Sequence, residues 1–198
     1  MTGPKSLYSV KIIIAVITWL LLALVVGKYR LLATFAPPFP QVVLFGLTLI
    51  LLLLCWKLSV FPNWVFNLDI RVLVLVHLSR FIGIYFLILH SQGELPYAFA
   101  VPGGLGDIAV ATTAIFVSLI SSTSGVKGFR VLLIWNVFGL LDILFVIAAA
   151  GRLGMADPGS INALTRLPLS LLPTFLVPII IFTHIIIFVR LVKIRSQF

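Results

Sequence analysis

The chain has 198 residues, of which 62% are apolar and 10% are charged, with a mean hydropathy of +1.26. Soluble domains carry about a quarter charged residues, so this composition excludes a soluble globular protein and indicates an integral membrane protein. The net charge of +9 does not indicate nucleic-acid binding, because the basic residues lie mainly between apolar runs, where they contact anionic lipid headgroups.

Six apolar runs, each bounded by proline, glycine or basic residues, are long enough to cross a bilayer. They lie near residues 10–27, 41–60, 70–90, 104–122, 131–150 and 169–191. Each crossing takes roughly 20 residues plus a connection, which leaves no room for a separate soluble domain. The sequence therefore predicts an all-α, polytopic transmembrane bundle that forms a single domain over residues 1–198.

The first run follows Lys5 and Lys11 and loosely imitates a signal peptide. It is about 17 residues long, however, which exceeds the usual apolar region of a signal peptide. Lys28 and Arg30 also intervene before any cleavage site. We therefore interpret this run as a retained first helix.

The distribution of basic residues predicts which side of the membrane holds the termini. Nine lie on the side of the termini, namely Lys5, Lys11, Lys57, Arg71, Lys127, Arg130, Arg190, Lys193 and Arg195. Four lie on the other side, namely Lys28, Arg30, Arg152 and Arg166. By the positive-inside rule, this bias predicts cytoplasmic N- and C-termini in a multi-pass protein of the cell membrane.

A pair of opposite charges is expected near the middle of the membrane. Counted along the predicted spans at about 1.5 Å per residue, Arg80 and Asp142 both lie near the midplane. Each alone would be an uncompensated charge in hydrocarbon, so we expect them to pair. The pair is either a structural clamp or part of a route for ions, protons or substrate, and the sequence leaves both open.

His77 and His184 share a depth about 10 Å inside the cytoplasmic face. They are interpreted as ordinary buried histidines, as a proton relay, or as axial ligands of a b-type haem. His77 also lies three residues before Arg80, so both side chains belong to one helix face. No cofactor other than this alternative haem is expected, and the identity of any bound metal stays unknown.

Residues 91–104 contain Gly, Pro and polar residues and are predicted to be a loop at the external face. His90, Glu94 and Asp107 flank or occupy this stretch, and they form a candidate solute or ion site. The alternative is a re-entrant turn in which Asp107 caps a helix that begins at Gly104.

The fourth helix carries Asp107, Ala111, Ala114 and Ser118 on one face. Small residues let neighbouring backbones approach closely, so this helix is expected at the centre of the bundle. The last helix contains Pro173 and Pro178, each of which removes a backbone donor and leaves a carbonyl that needs another partner. Trp135 is predicted at the cytoplasmic membrane boundary.

The sequence lacks the motifs of zinc hydrolases, serine hydrolases and thiol redox enzymes, so a dedicated enzyme is not expected. Polar groups through the membrane's depth favour small-solute or proton-linked transport. The alternatives are a haem or redox subunit ligated by His77 and His184, and an accessory subunit without its own activity. Expected partners are membrane lipids, and a homo-oligomer or a larger membrane complex is compatible with so small a chain.

Overall fold

The computed structural model describes residues 4–57, 60–120 and 126–195, and these residues contain helices and no strand. The α-helices are α1 (Pro4–Lys28), α2 (Phe39–Lys57), α3 (Val60–Asn67), α4 (Ile70–Leu75), α5 (Gly83–Ser91), α6 (Tyr97–Ile120), α7 (Val126–Ala156) and α8 (Val177–Arg195). Three 3₁₀ segments cover Leu31–Thr34, Val76–Ile82 and Pro158–Thr165, and a π-helical segment covers Leu172–Leu176.

Six stretches of the described residues are long and apolar enough to cross a membrane. They are Val10–Lys28, Phe39–Lys57, Ile70–Ser91, Tyr97–Ile120, Lys127–Ala156 and Leu172–Lys193, here called the first to sixth spans. The prediction of an all-α bundle with six crossings is confirmed. Residues 58–59, close to the end of the second predicted span, and residues 121–122, which end the fourth, lie outside the described residues.

An even number of crossings returns the chain to the face on which it starts, here called the terminal face. The other face, called the far face, carries the connections Leu31–Thr34 and Pro158–Thr165. The first two spans are mostly exposed and apolar around their circumference, as expected for helices that contact lipid. The polar groups are therefore enclosed by the later spans.

The fourth span begins earlier than predicted. Helix α6 starts at Tyr97 rather than at Gly104, and the backbone N–H groups of Phe99 and Ala100 donate to the carbonyl of Pro96. Proline is tolerated at a helix start because its missing N–H has no helical partner there. Asp107 therefore lies ten residues inside α6, and the prediction that it caps the helix is wrong.

The third and fourth spans touch backbone to backbone at Gly83 and Gly104. A Cβ atom at Gly83 would lie 2.5 Å from the carbonyl oxygen of Gly104, and one at Gly104 would lie 2.8 Å from that of Gly83. Both positions therefore need glycine for the helices to cross so closely. On α6, the face that is predicted to lie at the centre of the bundle is buried, including Ala111 and Ala114.

The sixth span starts with the π-helical segment and contains Pro178. Pro178 has no N–H to donate to the carbonyl of Thr174, four residues earlier. The indole N–H of Trp19 in α1 donates to this carbonyl at 2.8 Å, and the Trp19 ring packs edge-on against Phe175. A side chain of the first span thus supplies the donor that proline removes.

Candidate functional site

The third span is a 3₁₀ helix over Val76–Ile82, and this segment carries His77 and Arg80. Side chains three residues apart lie directly above one another in a 3₁₀ helix, so both residues point to the same side. They are 0% and 1% exposed, respectively. A guanidinium and an imidazole are thereby held together in the interior of the bundle.

Each guanidinium nitrogen of Arg80 has a partner on another span. Nε donates to Oδ1 of Asp107 at 2.6 Å, and Nη1 donates to the carbonyl oxygen of Gly139 at 2.8 Å. Nη2 donates to Oδ2 of Asp142. The expected partner Asp142 is therefore joined by Asp107, which sequence reasoning placed in a different site. The resulting charge cluster of Arg80, Asp107 and Asp142 ties together the third, fourth and fifth spans.

The charge cluster holds two carboxylates and one guanidinium. When both carboxyl groups are ionised, one negative charge lacks a positive partner inside the cluster. Gly106 admits the second carboxylate, because a Cβ atom at this position would overlap Oδ1 of Asp142. Asp142 is the more accessible of the two, with a side chain 11% exposed against 3% for Asp107.

The rings of the two intramembrane histidines are in tilted contact, as their shared depth suggests. The ring centroids of His77 and His184 lie 4.2 Å apart, with an angle of 50° between the ring planes. Trp135 packs edge-on against His77, with centroids 5.0 Å apart. The sequence prediction of Trp135 at the membrane boundary is wrong, because α7 begins at Val126 and carries this residue into the core.

Asn136 determines which nitrogen of His184 carries a proton. Its side-chain N–H donates to the backbone carbonyl of His184 at 3.1 Å. Its Oδ1 therefore faces Nδ1 of the His184 ring, at 2.8 Å, and accepts a hydrogen bond from it. Nε2 of His184 is buried beside Gly139 and has no hydrogen-bond donor facing it among the described residues. In the neutral ring this nitrogen keeps a free lone pair.

Thr183 has the same effect on His77. Its hydroxyl proton is donated to the carbonyl of Ile180 at 2.9 Å, so Oγ1 accepts from Nε2 of His77 at 3.2 Å. Nδ1 of His77 is then the nitrogen with the lone pair, and it too is buried without a partner in the described part of the chain. Buried polar atoms are nearly always paired, so two unpartnered nitrogens in adjacent rings need an explanation.

A haem iron between the two histidines does not fit this arrangement. Axial ligation places the metal and the whole porphyrin plane between the two rings, whereas these rings are in contact at 4.2 Å. In the described residues there is also no group of three or more His, Cys, Asp or Glu that could hold a metal ion.

The structure does not bring His90, Glu94 and Asp107 into one site. Nδ1 of His90 lies 3.0 Å from the carbonyl of Leu95, and Glu94 forms an exposed ion pair with Arg166. Asp107 lies about 15 Å further along α6 from its first residue, at 1.5 Å per residue. The early start of α6 separates the three side chains.

A cavity of about 340 Å³, here called the far-face cavity, opens among the far-face connections and the inner spans. Its walls include Leu32, Phe35, Phe86 and Ile161. Asp107 is the one charged side chain among the described residues that line it. The cavity therefore offers a mostly apolar chamber that ends on the charge cluster, with Gln41, Asn162 and Thr165 as uncharged polar side chains in its lining.

A larger space of about 1190 Å³, here called the lateral groove, lies in the half of the bundle near the terminal face. It is bordered by α1, α2, α3, the start of the third span and the middle of the sixth. Most of its lining is apolar, but Ser79 and Thr183 also contribute. Thr183 is the residue that accepts the hydrogen bond from His77.

Buried polar groups connect these two spaces in a continuous series, here called the polar column. Asp107 lines the far-face cavity and binds Arg80, which binds the carbonyl of Gly139. Gly139 contacts the ring of His184, since a Cβ atom there would lie 2.8 Å from Cε1 of that ring. His184 contacts His77, which is bonded to Thr183 at the lateral groove.

Sequence reasoning missed the polar partners that complete this column. Asn136, Gly139 and Asp142 are spaced three residues apart on α7, which places them along one helix face. That spacing was a usable signal, because Asp142 already marked the face. Thr183 had no comparable signal, since threonine in a membrane helix usually bonds to its own backbone.

The comparisons with known proteins identify a family but no activity. No curated protein and no solved structure matches the chain. Residues 37–192 match a family model described as "Domain of unknown function (DUF8737)". This match covers the second to fifth spans, all but the last residue of the sixth span, and every residue of the polar column. The six candidate spans indicate a multi-pass membrane protein, and the chain belongs to the family described as a domain of unknown function (DUF8737).

Proposed function

We propose that this protein carries out small-solute or proton-linked transport across the cell membrane, with both termini in the cytoplasm. The observation that supports this function is the polar column, which connects the far-face cavity to the lateral groove in the other half of the bundle. The titratable groups of the column that can exchange protons are Asp107, His184 and His77, with Arg80 as a fixed positive charge between them. Such groups between two spaces on opposite sides of the midplane support a proton relay in a transporter.

The unpartnered histidine nitrogens favour this function over a purely structural one. A network that serves packing alone is most stable when every buried donor and acceptor is satisfied. Nδ1 of His77 and Nε2 of His184 instead keep free lone pairs, and histidine is the side chain best suited to exchange protons near neutral pH. These two nitrogens are the proton carriers in our proposal.

A second function, that of a non-catalytic accessory subunit of a membrane complex, is favoured by the pairing of Arg80. All three of its nitrogens are satisfied, as expected for a clamp that fixes helix packing. In this alternative the charge cluster serves stability alone, and the histidines take no part in any flux.

Proton flux into liposomes that contain the purified protein and a pH-sensitive dye separates the two functions. Transport predicts flux driven by a membrane potential, and loss of this flux in His184→Gln, which keeps a polar side chain of similar size. His90→Gln is the matched control, because His90 lies outside the polar column and bonds at the far face. Folded wild-type protein that passes neither protons nor any solute of a broad panel would favour the accessory subunit.

A further inference from the structure

We infer that the far-face cavity binds a small organic monocation, of the class of a primary amine with one aromatic ring, in exchange for a proton. The inference rests on the proposed function, because it names the class of solute that the transporter would carry. It depends on three features of the cavity, namely the charge at its inner end, the chemistry of its walls and its volume.

The charge cluster selects for a cation. Arg80 supplies one positive charge to the two carboxylates of Asp107 and Asp142, so one negative charge is left over. His77 and His184 lie on the other side of Arg80 and are the remaining titratable groups of the polar column. An unbalanced charge in the bundle interior is costly, so the cavity favours an occupant that brings one positive charge and disfavours an anion.

The walls of the cavity suit an apolar group attached to that charge. Phe35, Phe86 and Phe99 line the space, and the rings of Phe86 and Phe99 pack with centroids 5.1 Å apart. Aromatic faces attract cations as well as apolar groups. A hydrated inorganic cation would leave these walls in contact with its water, whereas an aromatic amine covers them. The lining therefore favours an organic cation.

The volume limits the size of the occupant. At about 340 Å³ the cavity is near the lower end of the range of small-molecule pockets, which is about 300–1,000 Å³. A molecule with one ring and a short amine-bearing chain belongs at this end. The ammonium group would lie at the inner end of the cavity beside Asp107, and the ring would lie against the apolar wall next to Phe35, which is exposed, with the buried Phe86–Phe99 pair behind that wall.

The exchange conserves charge and breaks only an O–H bond. In the empty cavity a proton on one carboxyl group of the Asp107–Asp142 pair cancels the unbalanced charge. When an ammonium ion enters, that carboxyl group releases its proton to water and becomes the counter-ion of the ammonium. One positive charge enters and one leaves, so the interior of the bundle keeps the same net charge throughout.

Calorimetry with the full-length protein in lipid nanodiscs, and with empty nanodiscs as the background, tests this inference. The probes are benzylamine, benzyl alcohol and benzoate, which share a ring but carry positive, neutral and negative charge. We expect saturable binding of benzylamine alone, with release of about one proton, measured by repeating the titration in buffers of different ionisation enthalpy. In Asp107→Asn the affinity should fall more than about tenfold, whereas Glu94→Gln, which removes an exposed far-face carboxylate, should leave it unchanged.

Binding of benzyl alcohol as tight as that of benzylamine would overturn the inference, and so would binding of none of the three probes. If Asp107→Asn fails to fold, the comparison of the three probes on wild-type protein still tests whether the cavity binds a cation. The proposed function fails separately from this inference. Benzylamine binding without flux in liposomes would support the cation site and refute transport. Proton flux without benzylamine binding would support transport and refute the cation site.

Discussion

Replacement of Arg80 by glutamine is expected to lower the free energy of unfolding by about 3–5 kcal/mol, the usual cost of breaking a buried ion pair by removing one partner. The variant loses three hydrogen bonds and leaves Asp107 and Asp142 without the guanidinium between them. Asp142→Asn should cost only about 1 kcal/mol, because one carboxylate is enough to balance the guanidinium and the 2.6 Å bond between Arg80 and Asp107 is kept. The double variant leaves a single carboxylate. Its loss of unfolding free energy should therefore be smaller than the sum of the two single losses by about 1–3 kcal/mol.

Unfolding by increasing mole fractions of SDS in mixed micelles, followed by tryptophan fluorescence, gives these free energies. Arg166→Gln is the matched control, because it breaks the other Arg–carboxylate pair, with Glu94, whose side chains are 45% and 41% exposed. An exposed pair is worth about 0–1 kcal/mol. Equal losses in Arg80→Gln and Arg166→Gln, or additive effects in the double variant, would refute the argument that the charge cluster acts as one unit.

Two further predictions use the same unfolding assay. Gly106→Ala should cost about 1–3 kcal/mol by overpacking, because the new methyl group would displace the carboxylate of Asp142. Gly46→Ala is the control. It has nothing within 4 Å of the added Cβ and should be neutral or slightly stabilising. Identical unfolding curves for the two glycine variants would contradict this. Trp19→Phe should cost about 1 kcal/mol, because it removes the donor to the Thr174 carbonyl that Pro178 leaves without a partner. Trp56→Phe is the control, and it should leave the free energy of unfolding unchanged because this residue is 77% exposed.

The number of crossings was predictable because a bilayer imposes one strong rule on the chain. Backbone polar groups in hydrocarbon must bond internally, so a long apolar run is almost always a helix. The start of α6 was not predictable by the same rule. Glycines and prolines near Gly104 predict a break in the helix, yet Pro96 precedes the first turn and Gly104 lies in the contact with Gly83. Residues that interrupt a soluble helix are tolerated here because a neighbouring helix packs against them.

The depth of the site residues in the membrane was predictable from the sequence, but their contact partners were not. Counting residues along each span placed Arg80 with Asp142, and His77 with His184, at shared levels. The count could not include Asp107, because its level depends on where α6 begins. The contact between Asn136 and His184 also depends on how two helices are rotated about their axes, which hydrophobic periodicity along an almost uniformly apolar span does not record.

The 3₁₀ segment in the third span has a mechanical consequence. It rises about 2.0 Å per residue against about 1.5 Å in an α-helix, so over Val76–Ile82 rewinding into α-helix would shorten the span by about 3.5 Å. The same rewinding would change the angle between His77 and Arg80, viewed down the axis, from about zero to about 60°. This change from 3₁₀ to α-helix would turn the guanidinium of Arg80 and the imidazole of His77 out of alignment, and so would separate the charge cluster from the histidine pair.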